Sequence, residues 1–119
     1  MRKLVWALCL APVTALAGPF DGYYRPSGPW GDGWDCRSLG SDRGALGVTG
    51  DRIVFVEGGC QLTNPVQVNG MGAMLYDGRC AQEGTEYSQR ILLMRRSDPL
   101  GLYVITDGHV AEWSVCESE

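Results

Sequence analysis

The sequence is poor in the residues that proton-transfer enzymes and nucleic-acid binders use most. It contains one lysine, Lys3, and one histidine, His109, and 10 basic residues stand against 14 acidic ones. Ser–His–Asp and Cys–His catalysis both need a base that titrates near neutral pH. His109 follows a predicted Asp-Gly turn, so we interpret it as a solvent-exposed residue at the start of a strand. Nucleic-acid binding needs a basic footprint, which this charge balance disfavours.

Recognisable catalytic motifs are missing as well. The sequence has no H-E-x-x-H, no G-x-S-x-G and no G-x-x-x-x-G-K-[ST]. It also has no heptads, no internal repeats and no sustained helical apolar stripe. We therefore predict that the chain is not an enzyme, and we expect no catalytic residue, no metal site and no cofactor.

The apolar run near the start is too short to cross a membrane. It covers Leu4 to Leu10, well below the roughly 20 residues that a spanning helix needs. Arg2 and Lys3 precede it and Ala15-Leu16-Ala17 follows, which is the order of parts in a signal peptide. We predict a signal peptide at 1–17 and one mature domain at 18–119.

Export changes the charge and the expected location. Removing 17 of the 119 residues, Arg2 and Lys3 among them, would leave eight basic residues against 14 acidic ones, a net charge of −6. An acidic chain avoids anionic membranes and nucleic acid. We predict a periplasmic or secreted protein, without membrane insertion after cleavage. Its expected partner is a protein or glycan of the cell envelope.

Four cysteines remain in the predicted mature chain: Cys36, Cys60, Cys80 and Cys116. An even number in an exported chain indicates two disulfides. The alternative is a zinc site, but the close C-x-x-C pairs of such sites are missing. Three pairings are possible, and our prediction is Cys36–Cys60 with Cys80–Cys116.

Glycine and proline are frequent, with 17 and six residues, and short apolar runs alternate with turn signals. This pattern is typical of an all-β protein. Strands are predicted at 20–25, 45–49, 52–57, 60–68, 71–82, 86–96, 100–106 and 109–116. Tight turns are predicted at Gly50-Asp51, Gly58-Gly59, Asn69-Gly70, Glu83-Gly84 and Asp107-Gly108. An antiparallel meander of about eight strands closing into a barrel removes exposed edges. A two-sheet sandwich is the alternative.

Strand alternation predicts which side chains face the core. In the last strand Ala111, Trp113 and Val115 share the inward face, and Cys116 lies on the other. Met74, Tyr76 and Cys80 should also point inward, so the expected Cys80–Cys116 bond would join opposite faces. Pro65 indicates an edge or a bulge, and Asp77-Gly78 a second bulge.

The loop 26–35 carries Trp30 and Trp34 among glycines, close to Tyr23. Loop aromatics can stack on sugars or anchor a protein partner. They can equally fold back as a lid over the barrel end, held by Cys36, and we favour the lid. Asp32 and Asp35 in the same loop could serve a two-carboxylate glycosidase or hold Ca²⁺, although a solvated loop is favoured.

The segment 70–76, GMGAMLY, resembles the small-residue, tyrosine-containing loop of periplasmic lysozyme-inhibitor barrels. That loop enters the cleft of a hydrolase. The likeness covers about seven residues and lacks the serine and the basic residue of that loop, so the chain is not assigned to the family. Asn69 and Met71 become candidate binding residues. Arg95 and Arg96 face opposite ways on their strand and are interpreted as a solvated strand end.

We therefore predict a small exported, non-catalytic β-barrel that acts as a binding module. One alternative is an inhibitor of a secreted lysozyme or protease, using the turn 69–73 or the Trp30/Trp34 loop. A second is a glycan hydrolase that uses Asp32 and Asp35. An apolar ligand inside the barrel is a further possibility, which the shortness of the strands disfavours.

Overall fold

A computed structural model describes residues 18–116. The predicted signal peptide at 1–17 lies outside these residues. Eight antiparallel strands form a closed barrel in chain order, and β1 pairs with β8 to complete it. The strands are β1 Gly22–Pro26, β2 Leu46–Thr49, β3 Arg52–Phe55, β4 Gly58–Gln67, β5 Ala73–Gln82, β6 Thr85–Ser97, β7 Leu100–Thr106 and β8 His109–Val115. A single 3₁₀ turn, Gly28–Gly31, follows β1. The predicted barrel is confirmed, rather than the sandwich.

Tight turns connect most of the strands where they were predicted. Gly70 and Gly108 have φ values of 80° and 81°, a conformation in which glycine is favoured. The predicted turn at Gly58-Gly59 is wrong, because both glycines lie inside β4. They are needed there for close strand contact, since a Cβ on Gly59 would stand 2.5 Å from the carbonyl oxygen of Ile53.

One of the two predicted bulges is present. The register of β4 and β5 shifts between Thr63 and Val66, on either side of Pro65. The bulge expected at Asp77-Gly78 is wrong, because both residues pair regularly with β6. Gly78 instead leaves room for Ile91, whose Cδ1 would lie 2.7 Å from an added Cβ.

The core occupies the interior of the barrel. Trp113 and Cys80 belong to it, and the partly buried Met74, Tyr76, Ala111 and Val115 pack against it. These are the side chains that strand alternation predicted to face inward. Its most deeply buried side chains are Ile53, Ile91, Leu93, Leu102 and Cys60.

Two disulfides are present, but the predicted pairing is wrong. The bonds are Cys36–Cys116 and Cys60–Cys80. Cys60 lies directly opposite Cys80 on β4 and β5, and both side chains are buried inside the barrel. Cys116 follows the inward-facing Val115, so it faces outward and reaches the external segment that contains Cys36. Cys80 and Cys116, which lie on opposite faces of their strands, therefore do not have to be joined.

One end of the barrel is filled by the chain that precedes β1. Phe20 is buried there, and its carbonyl oxygen accepts a hydrogen bond from the Tyr24 hydroxyl at 2.6 Å. Arg95 lies over the Phe20 ring, 5.8 Å from its centre, and donates to the carbonyl oxygen of Pro19. Burial raises the pKa of Tyr24. We call this end, with turns 50–51, 68–72 and 98–99, the closed end.

Candidate functional site: an aromatic cavity at the barrel mouth

The opposite end of the barrel holds a cavity of about 1000 Å³. Three hairpin turns surround this end, at 56–57, 83–84 and 107–108. The loop 27–34, which leaves β1, forms the fourth part of the rim. We call these four segments together the mouth and residues 27–34 the mouth loop.

The cavity exists because β1 is short. Pro26, its last residue, pairs with Trp113, so β1 does not extend beside His109–Ala111 at the start of β8. The mouth loop takes its place, and the Ser27 amide donates to the carbonyl oxygen of Glu112 at 2.9 Å. A loop cannot fill the interior as a strand with inward side chains would, and space remains behind it.

The walls are mainly apolar and aromatic. Trp34 packs against the core, and its indole N–H donates to the carbonyl oxygen of Trp30 at 2.9 Å. Trp30 itself is 82% exposed at the rim. The expected lid is therefore formed by Trp34 alone. The apolar residues that line the cavity are Pro26, Pro29, Trp30, Trp34, Leu46, Ile53, Phe55, Val56, Ile91, Val104, Ala111 and Trp113.

Four uncharged polar or imidazole side chains on strands line the same space, beside Ser27 of the mouth loop: Gln82, Gln89, Thr106 and His109. Each stands two residues from an inward-facing neighbour on its strand, so alternation turns it inward. His109 begins β8 and is exposed, as expected, but it also lines the cavity. Sequence reasoning did not single out the other three. Their strand positions could have revealed them, because Gln82 lies two residues after the buried Cys80 and Gln89 lies two residues before the buried Ile91.

Arg96 holds the mouth loop to the barrel wall. Its side chain is only 13% exposed, so the interpretation as a solvated strand end is wrong for this residue. Nη1 donates to the Ser27 hydroxyl at 2.5 Å and lies 3.6 Å from Oε1 of Glu112. The guanidinium also lies over the Tyr103 ring, 5.6 Å from its centre. Arg96 therefore lies on the face of β6 opposite to that of Arg95, as alternation predicted, and it lines the rim of the cavity beside Ser27 and Glu112.

The five candidate binding residues lie at three places. Trp30 and Trp34 are together at the mouth. Tyr23 is on the outer surface of β1 and is 39% exposed. Asn69 and Met71 belong to the β4–β5 connection at the closed end, where Met71 is 49% exposed. Only the two tryptophans take part in the cavity.

Asp35 has a structural role in its loop. Its carboxylate accepts hydrogen bonds from the amides of Arg37 and Ser38 and from the Ser38 hydroxyl, at 2.7–2.9 Å. The two amides and the hydroxyl lower the pKa of Asp35 to about 2. A glycosidase acid needs a raised pKa so that it holds a proton near neutral pH. This environment therefore does not suit Asp35 to donate a proton to a glycan.

Asp35 is expected to titrate at an unusually low pH. Because its folded pKa is depressed, its stabilising contribution is present above the ordinary value of 3.8 and is lost as pH falls towards about 2. The carboxyl carbon should therefore titrate with a midpoint near 2 in a ¹³C NMR experiment. Ser38→Ala removes the hydroxyl donor but keeps both amides, so the midpoint should rise without reaching the ordinary value. A wild-type midpoint near 3.8 would contradict the three hydrogen bonds to the Asp35 carboxylate.

Residues 18–116 contain no group of three or more His, Cys, Asp or Glu side chains placed to hold a metal ion. No helix within this range is long and apolar enough to cross a membrane. Comparisons of the chain with known protein families, curated proteins and solved structures find no match.

Proposed function

We propose that the protein is an exported, non-catalytic binding module that takes a small ligand with an apolar body into the cavity at its mouth. The observation that carries this proposal is the cavity itself, about 1000 Å³ in volume and walled by Trp34, Phe55 and Trp113. Small-molecule sites typically occupy roughly 300–1,000 Å³, with apolar walls and a few polar groups. Gln82 and Gln89 provide polar groups of that kind.

The barrel architecture favours a small ligand over a large one. Eight-stranded barrels either fill their interior with side chains or hold one small molecule. Here the closed end is filled by Phe20 and Tyr24, whereas the mouth end is not. A ligand would enter at the mouth and stop above these two rings.

The export part of the proposal is supported by the disulfides and the signal-peptide pattern. Disulfides persist in oxidising compartments such as the periplasm and the extracellular space. Cys60–Cys80 and Cys36–Cys116 use all four cysteines of the described residues. The non-catalytic part is supported by the scarcity of proton-transfer groups and by the depressed pKa of Asp35.

The binding proposal is tested with the neutral apolar dye Nile red. The wild-type protein should bind one dye and raise its fluorescence. Ala111→Phe adds a ring to an inward position that lines the cavity, and dye affinity should fall at least about tenfold because the space is occupied. Thermal unfolding of the variant checks that it is folded.

Val110→Phe is the matched control, since Val110 is the preceding residue and faces outward, 54% exposed. Its dye affinity should stay within about twofold of wild type, because the added ring lies outside the cavity. Equal affinity of Ala111→Phe and wild type would reject the cavity as the binding site. Absence of dye binding by wild type would reject the proposed function.

A further inference from the structure

The turns around the mouth carry negative charge only. Each of the three hairpin turns holds one exposed carboxylate, Glu57, Glu83 or Asp107, and none holds a basic residue. Carboxylates grouped at the opening of an apolar cavity create a negative potential there, because the low-dielectric wall focuses the field. A cation approaching the mouth is therefore attracted and an anion repelled.

The basic groups near the mouth lie at the mouth loop and not in the three hairpin turns. Arg96 is the one guanidinium among the described residues that line the cavity, and it is held by Ser27 and Glu112. Arg25 and Arg43 lie against Gly31 and Gly33 of the mouth loop, which flank Asp32 in the sequence. The side of the mouth formed by the three hairpin turns therefore carries carboxylates without a basic residue among them.

Aromatic rings stand where a cation would pass from water into the cavity. Trp30 is almost fully exposed at the rim, and Trp34 lies behind it, joined by its indole N–H to the Trp30 carbonyl oxygen. The faces of tryptophan rings attract ammonium groups, most strongly when the cation is partly desolvated. The rim thus combines carboxylates with π faces.

We infer that the ligand is a cationic amphiphile, with an apolar chain or ring in the cavity and an amine or quaternary ammonium head at the mouth. This inference rests on the proposed binding function and names the chemical class that the same site takes. The apolar walls bind the body of the molecule. The carboxylates of the turns and the ring of Trp30 select the sign of its head group.

The test compares three amphiphiles that share an octyl tail. Octyltrimethylammonium is cationic, octyl glucoside is neutral and octanesulfonate is anionic, and each is titrated calorimetrically below its micelle concentration. The cation should bind at least about tenfold more tightly than the sulfonate at low ionic strength, with the glucoside between them. The preference should shrink in 0.5 M salt, where the screening length is only a few ångströms.

Two variants with equal net charge locate the effect. Glu83→Gln with Asp107→Asn neutralises two turns of the mouth and should weaken octyltrimethylammonium binding about three- to tenfold. Asp51→Asn with Asp98→Asn neutralises two turns of the closed end and should change it less than twofold. Equal loss in both variants would overturn the inference, because it would indicate attraction by net charge alone.

Failure of the inference and failure of the binding function give different results. Equal affinity for all three amphiphiles, or tighter binding of the sulfonate, would overturn the cationic class while leaving the cavity as a binding site. If none of the three binds and Nile red also fails to bind, the proposed function is rejected together with the inference.

Discussion

Replacing both Cys36 and Cys116 by alanine is expected to lower the free energy of unfolding by about 4.5 kcal/mol. The bond joins residues separated by 80 positions, and the chain entropy that a cross-link removes from the unfolded state grows with loop length. A domain of this size has roughly 5–15 kcal/mol of stability in total. The loss should therefore bring the variant close to its unfolding threshold at physiological temperature.

Urea unfolding followed by tryptophan fluorescence measures this loss. The matched variant is Cys60→Ala with Cys80→Ala, whose bond spans a sequence separation of 20 and contributes about 3.3 kcal/mol by the same relation. That second value is a lower bound, because the loss of two buried sulfurs also leaves unfilled space in the core. An unchanged free energy of unfolding in the Cys36/Cys116 variant would show that this disulfide does not constrain the unfolded chain.

Replacing Gly101 by alanine is expected to destabilise the barrel by about 3 kcal/mol, the upper part of the range for overpacking. Gly101 pairs with Arg96 on β6 and Ser114 on β8. An added Cβ would lie 2.0 Å from the carbonyl oxygen of Trp113. The contact is with backbone, so no side chain can rotate away and β8 itself must move.

Gly84→Ala is the control for this steric effect. Gly84 has a φ of 85° and nothing within 4 Å of an added Cβ, so its cost is conformational and about 1 kcal/mol. Both variants are compared with wild type by urea unfolding. Equal losses at the two positions would mean that β7 and β8 do not approach as closely as described.

Several features of the fold could be predicted because they depend on local chemistry. Turn dipeptides such as Asn69-Gly70 and Asp107-Gly108 fixed the boundaries of most hairpins, and alternation identified the inward face of β8. Gly58-Gly59 misled because glycine is favoured both in turns and where two backbones approach closely. Distinguishing the two uses requires knowledge of the neighbouring strand, which here is β3.

The disulfide pairing is a long-range property that the local pattern left open. Cys60 and Cys80 lie almost equally far from the Asn69-Gly70 turn, so hairpin register could have placed them opposite each other. The bulge at Pro65 shifts the register of β4 and β5 by one residue, so counting back from the turn does not show that the two cysteines are opposite each other. Cys36 lies in a segment without strand pattern, and its contact with Cys116 follows from how the chain after β1 folds onto the outside of the barrel.

The cavity could not be predicted from the strands alone. Their lengths and alternation describe a wall, whereas empty space depends on where that wall is interrupted. Here the interruption is the end of β1 at Pro26, and the predicted first strand ended one residue earlier, at Arg25. The sequence located both loop tryptophans, but it does not distinguish the exposed Trp30 from Trp34, which packs against the core and donates its indole N–H to the Trp30 carbonyl oxygen.

The shortness of β1 also affects how the molecule can open. β1 pairs with β2 and with β8 through three residues each, whereas β5 and β6 pair through ten. Because β2 and β3 also pair through only three residues, fluctuations that separate strands will begin at the seams of β1 and β2, while the β4–β6 part stays intact. One of these seams borders the mouth loop. The proposed ligand would thus enter and leave by local opening of this side, without unfolding of the rest of the barrel.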